Sequence, residues 1–199
     1  SKTAFTEAEL YKLDQFLLKG GNLLLFLDPF TVVQPSAEAS YFEQPQFIPT
    51  DTGLESLVAR YGITLNHEYV LDKNCYTDYD QQYTRLNFYY APVLQKKQLA
   101  ARHPVTGNLG YVIFLQPGSL DVSAARADND LDVTVLASSS DKSWTLSDSI
   151  VLNPYFITPP DDESGMQSYP LMALAEGRFT SAFDSRPGSD AGAADSLIG

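Results

Sequence analysis

The sequence holds one cysteine, two histidines, one tryptophan and two methionines in 199 residues. The lone Cys75 excludes an internal disulfide and any multi-cysteine metal site, and a single thiol is compatible with either a reducing or an oxidising compartment. His67 and His103 stand in no metal-ligand spacing, and a strand histidine more often serves as a hydrogen-bonding residue. Positive charge is also scarce: 13 Lys and Arg face 25 Asp and Glu, for a net charge of -12. Nucleic-acid binding rests on cations that neutralise phosphates, so this balance argues against it, and equally against an anionic membrane surface. No apolar run approaches the roughly 20 residues that cross a bilayer, and no charged-then-apolar leader opens the sequence.

Catalytic motifs are missing as well. Neither G-x-S-x-G nor G-x-C-x-G is present to form a nucleophile elbow. Gly20-Gly21 precedes an apolar run instead of following one, the wrong order for a phosphate loop at a helix start. Asp128-Asn129-Asp130-Leu131-Asp132 begins like a calcium loop, but Val133 stands where glycine is needed and Ser139 where glutamate is needed. No cofactor or metal is therefore expected.

The sequence is organised around Thr6 to Pro29. Thr6 and Glu9 have the spacing of a capping box, with Phe5 and Leu10 placed as a hydrophobic staple. Leu10, Leu13 and Leu17 recur on one helical face with Phe16 beside them, and Gly20 is set to end the helix in a left-handed conformation. Leu23 to Leu27 is uninterrupted and apolar, as a parallel strand covered on both faces requires. A strand is expected ahead of this helix, so the sequence reads as a piece of a larger sheet. The proline-punctuated stretch after Pro29 contains Tyr41, Phe42, Phe47 and Ile48, too apolar for a free linker, and reads as a lid or sheet edge.

A second helix over Gly53 to Tyr61 and a strand over Ile63 to Leu71 repeat the αβ pattern. Two such units predict an α/β fold, a doubly wound and mainly parallel sheet with sites beyond the strand carboxyl ends. Further strands are expected at Gly110–Gln116 and Leu131–Ala137, with a strand or arm over Ser149–Ile157. Thr158–Ser168 reads as loop, and residues 170–183 as a strand or short helix that turns at Gly177. One domain over 1–183 and a linker over 184–199 complete the organisation, since the tail cannot bury enough apolar surface to order itself.

Asp28 and Asp72 follow strands directly, where a pocket rim would form, although a loop carboxylate more often caps a turn. Cys75 sits just beyond Asp72, but Asn74 and Tyr76 are too large to flank a sharp nucleophile turn. Tyr76, Tyr79, Tyr83, Phe88, Tyr89 and Tyr90 form an aromatic-rich stretch suited to stacking on sugars or peptides, or to covering an edge or a partner surface. Between Gln81 and Leu120 there is no Asp or Glu, while Arg85, Lys96, Lys97 and Arg102 are present. With Tyr79 and Tyr83, the bases Arg85, Lys96 and Lys97 make a candidate docking face for an acidic partner or a second copy.

Four stretches in order resemble the extracytoplasmic domain of the GldG-like family, auxiliary subunits of ABC-type transport systems first associated with gliding motility. They are LDQFLLKGGNLLLFLDPF (13–30), GLESLVARYGITLNHEYVLDK (53–73), YVIFLQPGSLD (111–121) with VLASSSDKSW (135–144), and LAEGRFTSAF (174–183). The resemblance implies a Rossmann-like three-layer sandwich related in shape to class I glutamine amidotransferases. It also implies a periplasmic or otherwise extracytoplasmic location, transmembrane helices elsewhere in the full-length protein, and an ABC permease and ATPase as partners. It carries no catalytic residues. The reading that follows is a non-catalytic interaction domain engaging transported substrate or envelope proteins. The alternatives are a glycan- or peptide-binding module and a degenerate amidotransferase-like hydrolase relying on Cys75.

Overall fold

The computed structural model describes residues 3–36, 44–128 and 130–187. Tyr41, Phe42, Asn129 and the tail from residue 188 onward lie outside the described residues. Helix α1 spans Glu7–Leu18 and opens on the expected capping box: Glu9 N–H donates to Thr6 Oγ1, and Thr6 N–H donates to Glu9 Oε2 at 2.8 Å. This satisfies two of the amides that a helix start leaves open. Gly20, at φ 89°, carries the chain out of the helix as predicted.

The strands come next in chain order. β1 (Phe30–Val33) and β2 (Gln46–Pro49) form a hairpin that precedes helix α2 (Leu54–Arg60). The predicted strand 63–71 is split into β3 (Thr64–Leu65) and β4 (Tyr69–Asp72). The break falls at Asn66 to Glu68, where Asn66 N–H donates to Ser119 O and the Asn66 amide to Ser119 Oγ, both pulling the chain sideways. Strands β5 (Cys75–Tyr79), β6 (Arg85–Gln95) and β7 (Tyr111–Ile113) form the largest sheet, in that order. β8 (Leu120–Asp121) pairs with β3, β9 (Leu131–Ser138) pairs with β11 (Pro170–Gly177), and β10 (Ser143–Leu146) pairs with β4. A short helix α3 (Ser123–Ala127) lies between β8 and β9.

Every strand pair among the described residues is antiparallel, spread over five small sheets. This overturns the expectation of a Rossmann-like, mainly parallel three-layer sandwich. The physical reason lies in what each apolar run finds beside it. β4 is buried along its whole length, as a central parallel strand would be, yet its neighbour is antiparallel β10, with Trp144 opposite Leu71. Local hairpins such as β5–β6 need only a tight turn, whereas parallel partners need crossovers that deliver a second strand in the same direction. Leu23 to Leu27, expected at the sheet centre, has no regular secondary structure and pairs with no strand among the described residues, and its side chains alternate between half-buried and exposed. Ser149 to Ile157 likewise forms no strand, while Thr158–Ser168 is loop around one short 3-10 turn.

Three apolar clusters replace a single central core. Val70, Leu94, Leu99, Ala137 and Leu171 join β4, β6, β9 and β11. Phe30, Tyr69 and Leu71 seat the β1–β2 hairpin, with Phe47 edge-on to Tyr69 at 5.9 Å between centroids. Leu57, Tyr61 and Ala182 join the two helices to the stretch after β11, with Leu10, Leu13 and Leu17 packed around them. At the heart of this third cluster Asp14 is fully buried, accepting from Tyr61 Oη at 2.7 Å, Ser181 Oγ at 2.8 Å and Ala182 N–H at 2.8 Å. No helix among the described residues is long and apolar enough to cross a membrane.

Candidate functional site

Buried polar groups gather where β4 ends. β4 ends on Asp72, which is fully buried. Its carboxyl accepts from Asn74 N–H at 2.8 Å, Ser140 N–H at 2.7 Å and Ser140 Oγ at 2.6 Å. Asp72 is thus a turn-capping residue that ties the β4–β5 turn to the serine run after β9. Opposite it in the ladder, Ser143 is also fully buried, and its hydroxyl has no hydrogen-bond partner among the described residues.

That serine run borders an open cleft of about 500 Å³, lined by Lys97, Ser138, Ser139, Ser140, Asp141 and Ser168 among others. Three of these four serine hydroxyls are already committed. Ser139 Oγ accepts from Tyr169 N–H at 2.9 Å, Ser140 Oγ donates to Asp72, and Ser168 Oγ donates to Ser139 O at 2.7 Å. Neither histidine is among the residues that line the cleft: His67 Nδ1 is 3.1 Å from Pro29 O, and His103 Nδ1 accepts from Val105 N–H. The cleft therefore offers one ammonium group, from Lys97, one carboxylate, from Asp141, and fixed polar surface, which suits recognition of a polar group. Glu163 bridges Lys73 and Lys142, pinning the 158–168 loop to the turns that follow β4 and β9.

Cys75 lies within β5, half-buried, in an irregular part of the β5–β6 ladder. Burial pushes its thiol up to about 11, the nearby Asp72 charge adds to the shift, and Arg85 only partly opposes it. A thiol so shifted stays protonated at neutral pH, the opposite of an activated nucleophile. Asp28 is exposed at the end of the apolar run, within electrostatic reach of buried Tyr69, whose phenol is pushed up to about 12 by burial and then by Asp28. Tyr69 opens β4 and Asp72 closes it, so the three candidate rim residues do not converge on one pocket.

The candidate docking residues divide into two groups. Tyr79, Tyr83 and Arg85 cluster at the tip of the β5–β6 hairpin, where Tyr83 is 87% exposed with φ 60°. Lys96 and Lys97 sit in the short turn beyond the far end of β6. At about 3.3 Å per residue, an eleven-residue strand separates the groups by roughly 35 Å. A third exposed tyrosine joins the tip: Tyr155 Oη donates to Asp80 Oδ2 at 3.0 Å, beside exposed Phe156. Tyr155 is 75 residues from Asp80 in sequence, and only its position in an apolar arm hinted at a contact. The serine cleft had a clearer signal, three serines and an aspartate directly after an apolar strand.

Among the described residues no group of three His, Cys, Asp or Glu is close enough to hold a metal ion. No curated protein and no solved structure matches the chain. A family described as an ABC-type uncharacterized transport system matches residues 1–197. Matched over nearly its whole length, the chain belongs to this family of auxiliary components of ABC-type transport systems.

Proposed function

We propose that this chain is a non-catalytic, extracytoplasmic interaction domain of an ABC transport system, on the periplasmic face of a bacterial inner membrane, engaging partner proteins or exported substrate. Its family ties it to a membrane-associated transport system, with a permease and an ATPase as the natural partners. The observation that carries the reading is the hairpin tip. Tyr79, Tyr83 and Tyr155 hold large rings in solvent beside Arg85, the combination enriched where proteins meet. The committed hydroxyls of the cleft and the raised thiol of Cys75 give a hydrolase little to work with.

The test is co-purification of the full-length protein with its permease and ATPase from membranes. Tyr83→Ala with Arg85→Glu is expected to lower recovery of the partners at least about tenfold, as loss of an aromatic and an arginine anchor does. Lys97→Glu, roughly 35 Å away, is expected to leave recovery unchanged. Equal recovery with the tip variant would overturn the assignment of the tip. The same exposed rings favour a second reading, a glycan- or peptide-binding module. Titration with oligosaccharides and tyrosine-fluorescence detection separates the two, because a glycan site responds in the isolated chain.

A further inference from the structure

The serine cleft holds two opposite charges that do not meet. One wall is the turn Lys96–Gln98, hung beside β9 by Ala100 N–H, which donates to Leu136 O at 2.9 Å, and by the bridge between Leu99 and Ala137. The other wall is the run from Ser138 to Asp141, fixed through Ser139 N–H to Tyr169 O at 2.9 Å and through Ser140 to Asp72. Lys97 and Asp141 are exposed on these walls, yet they form no ion pair with each other or with any described residue. The Asp141 charge acts on Lys142, but that ammonium group is already held by Glu163 at 2.7 Å. On the same walls the Ser138 hydroxyl has no hydrogen bond among the described residues. Gln98 commits only its side-chain oxygen, which accepts from Gln95 N–H at 3.0 Å.

We propose that the cleft binds a short zwitterionic peptide, with the ligand's carboxylate on Lys97, its ammonium group on Asp141 and its amides on Ser138 and Gln98. A ligand of one charge satisfies one wall and is repelled by the other: an anion meets Asp141 and a cation meets Lys97. A zwitterion makes a charge-assisted hydrogen bond at each end. No aromatic ring is among the residues that line the cleft, so a sugar has nothing to stack on. The volume, about 500 Å³, lies within the range of small-ligand sites and exceeds what one amino acid fills. An extended tripeptide spans roughly 10 Å at about 3.3 Å per residue, which sets its two ends on different walls. Apolar lining is sparse, with Leu99 already buried in the core cluster and Val135 half-buried, so recognition falls on termini and amides and not on side chains. Both walls are held by backbone hydrogen bonds before any ligand arrives, which lowers the ordering cost of binding.

Isothermal titration calorimetry of the 199-residue chain with triglycine, N-acetyl-triglycine, triglycine amide and glycine tests this. Triglycine is expected to bind, and removing either terminal charge to weaken it about fivefold or more. Lys97→Met should abolish the difference between triglycine and its amide, and Asp141→Asn the difference between triglycine and its N-acetyl form, because each variant removes the partner of one terminus. Both side chains are exposed, so circular dichroism should show both variants folded. The site is separate from the hairpin tip, and Tyr83→Ala with Arg85→Glu is expected to leave triglycine binding unchanged. Absence of binding by triglycine at millimolar concentration overturns the proposal, and so does equal binding of the capped and uncapped peptides. Glycine binding as tightly as triglycine overturns the peptide assignment. Binding lost in the tip variant and kept in Lys97→Met and Asp141→Asn overturns the cleft as its place.

Discussion

Ser140 donates twice to Asp72, through its backbone N–H at 2.7 Å and its hydroxyl at 2.6 Å, and so joins the end of β9 to the end of β4. With Asn74 N–H as a third donor, the carboxyl is fully engaged although no water reaches it. Asp72→Ala strands these donors and is expected to cost about 3 kcal/mol of unfolding free energy in urea titration. Ser140→Ala, which removes one donor and leaves the backbone bond, is expected to cost about half as much. Equal small losses for both would mean that the junction is not a stabilising contact.

Directly opposite Asp72 in the ladder, the Ser143 hydroxyl is buried with no partner among the described residues. Replacing an unsatisfied polar atom by hydrogen removes a desolvation penalty, so Ser143→Ala is expected to be neutral or to stabilise by up to about 1 kcal/mol. A loss above that margin in thermal unfolding would show that the hydroxyl has a partner in solution.

Gly62 ends α2 at φ 82°, and a Cβ there would lie 2.4 Å from the backbone nitrogen of Ala125. Backbone cannot move aside as a side chain can. Gly62→Ala therefore combines left-handed strain with a clash between α2 and α3, and is expected to destabilise by about 3 kcal/mol or more. Gly20→Ala has the same sign of φ but nothing within 4 Å, so its cost is expected near 1 kcal/mol. The contrast between the two melting temperatures separates strain from crowding.

Burial pushes the Asp14 carboxyl up, but hydrogen bonds from Ala182 N–H, Tyr61 and Ser181 outweigh it and hold the folded value below the usual 3.8. A depressed folded value contributes stability above the unfolded pKa that is lost as pH falls through the folded one. Unfolding free energy is thus expected to decline below about pH 4. Tyr61→Phe should cost about 2 kcal/mol at neutral pH and flatten that decline, since part of the depression leaves with the phenol. An unchanged acid limb in Tyr61→Phe would contradict the assignment.

Cys75, with its thiol pushed up to about 11 by burial and by Asp72, is expected to react with iodoacetamide at pH 7.5 at least about tenfold more slowly than a free peptide thiol. Denaturation should restore the ordinary rate. Mass-spectrometric timing of alkylation reads both.

Local signals carried much of this structure and non-local ones little. The α1 start was legible because a capping box is a contact across three residues, and α2 was legible from Leu54, Leu57 and Val58 on one face with Gly62 behind. β9 emerged close to its expected bounds, and the stretch from Pro170, left open between strand and short helix, is strand as far as the expected turn at Gly177. Strand direction was not legible: a buried run such as YVLD looks alike beside parallel or antiparallel neighbours, and the pairing with Trp144 is settled 73 residues away from Leu71. Asp28 and Asp72 were read as equivalent because both follow apolar runs. Only tertiary structure shows one in solvent and the other capped by Ser140. Asp14 was overlooked although it stands among Leu10, Leu13 and Leu17, and an acid on an apolar helix face is itself a sign of a buried partner.

The Asp14 knot also has a mechanical meaning. Its bonds to Ser181 and Ala182 clamp residue 14 to the far end of the described chain, closing nearly the whole fold into a loop. Tension applied beyond Phe183 arrives first at α1, through two short hydrogen bonds loaded together, and reaches the strand pairs only after that clasp shears. A domain tugged by a moving membrane machine would yield there first, keeping the hairpin tip and the serine cleft in shape under load.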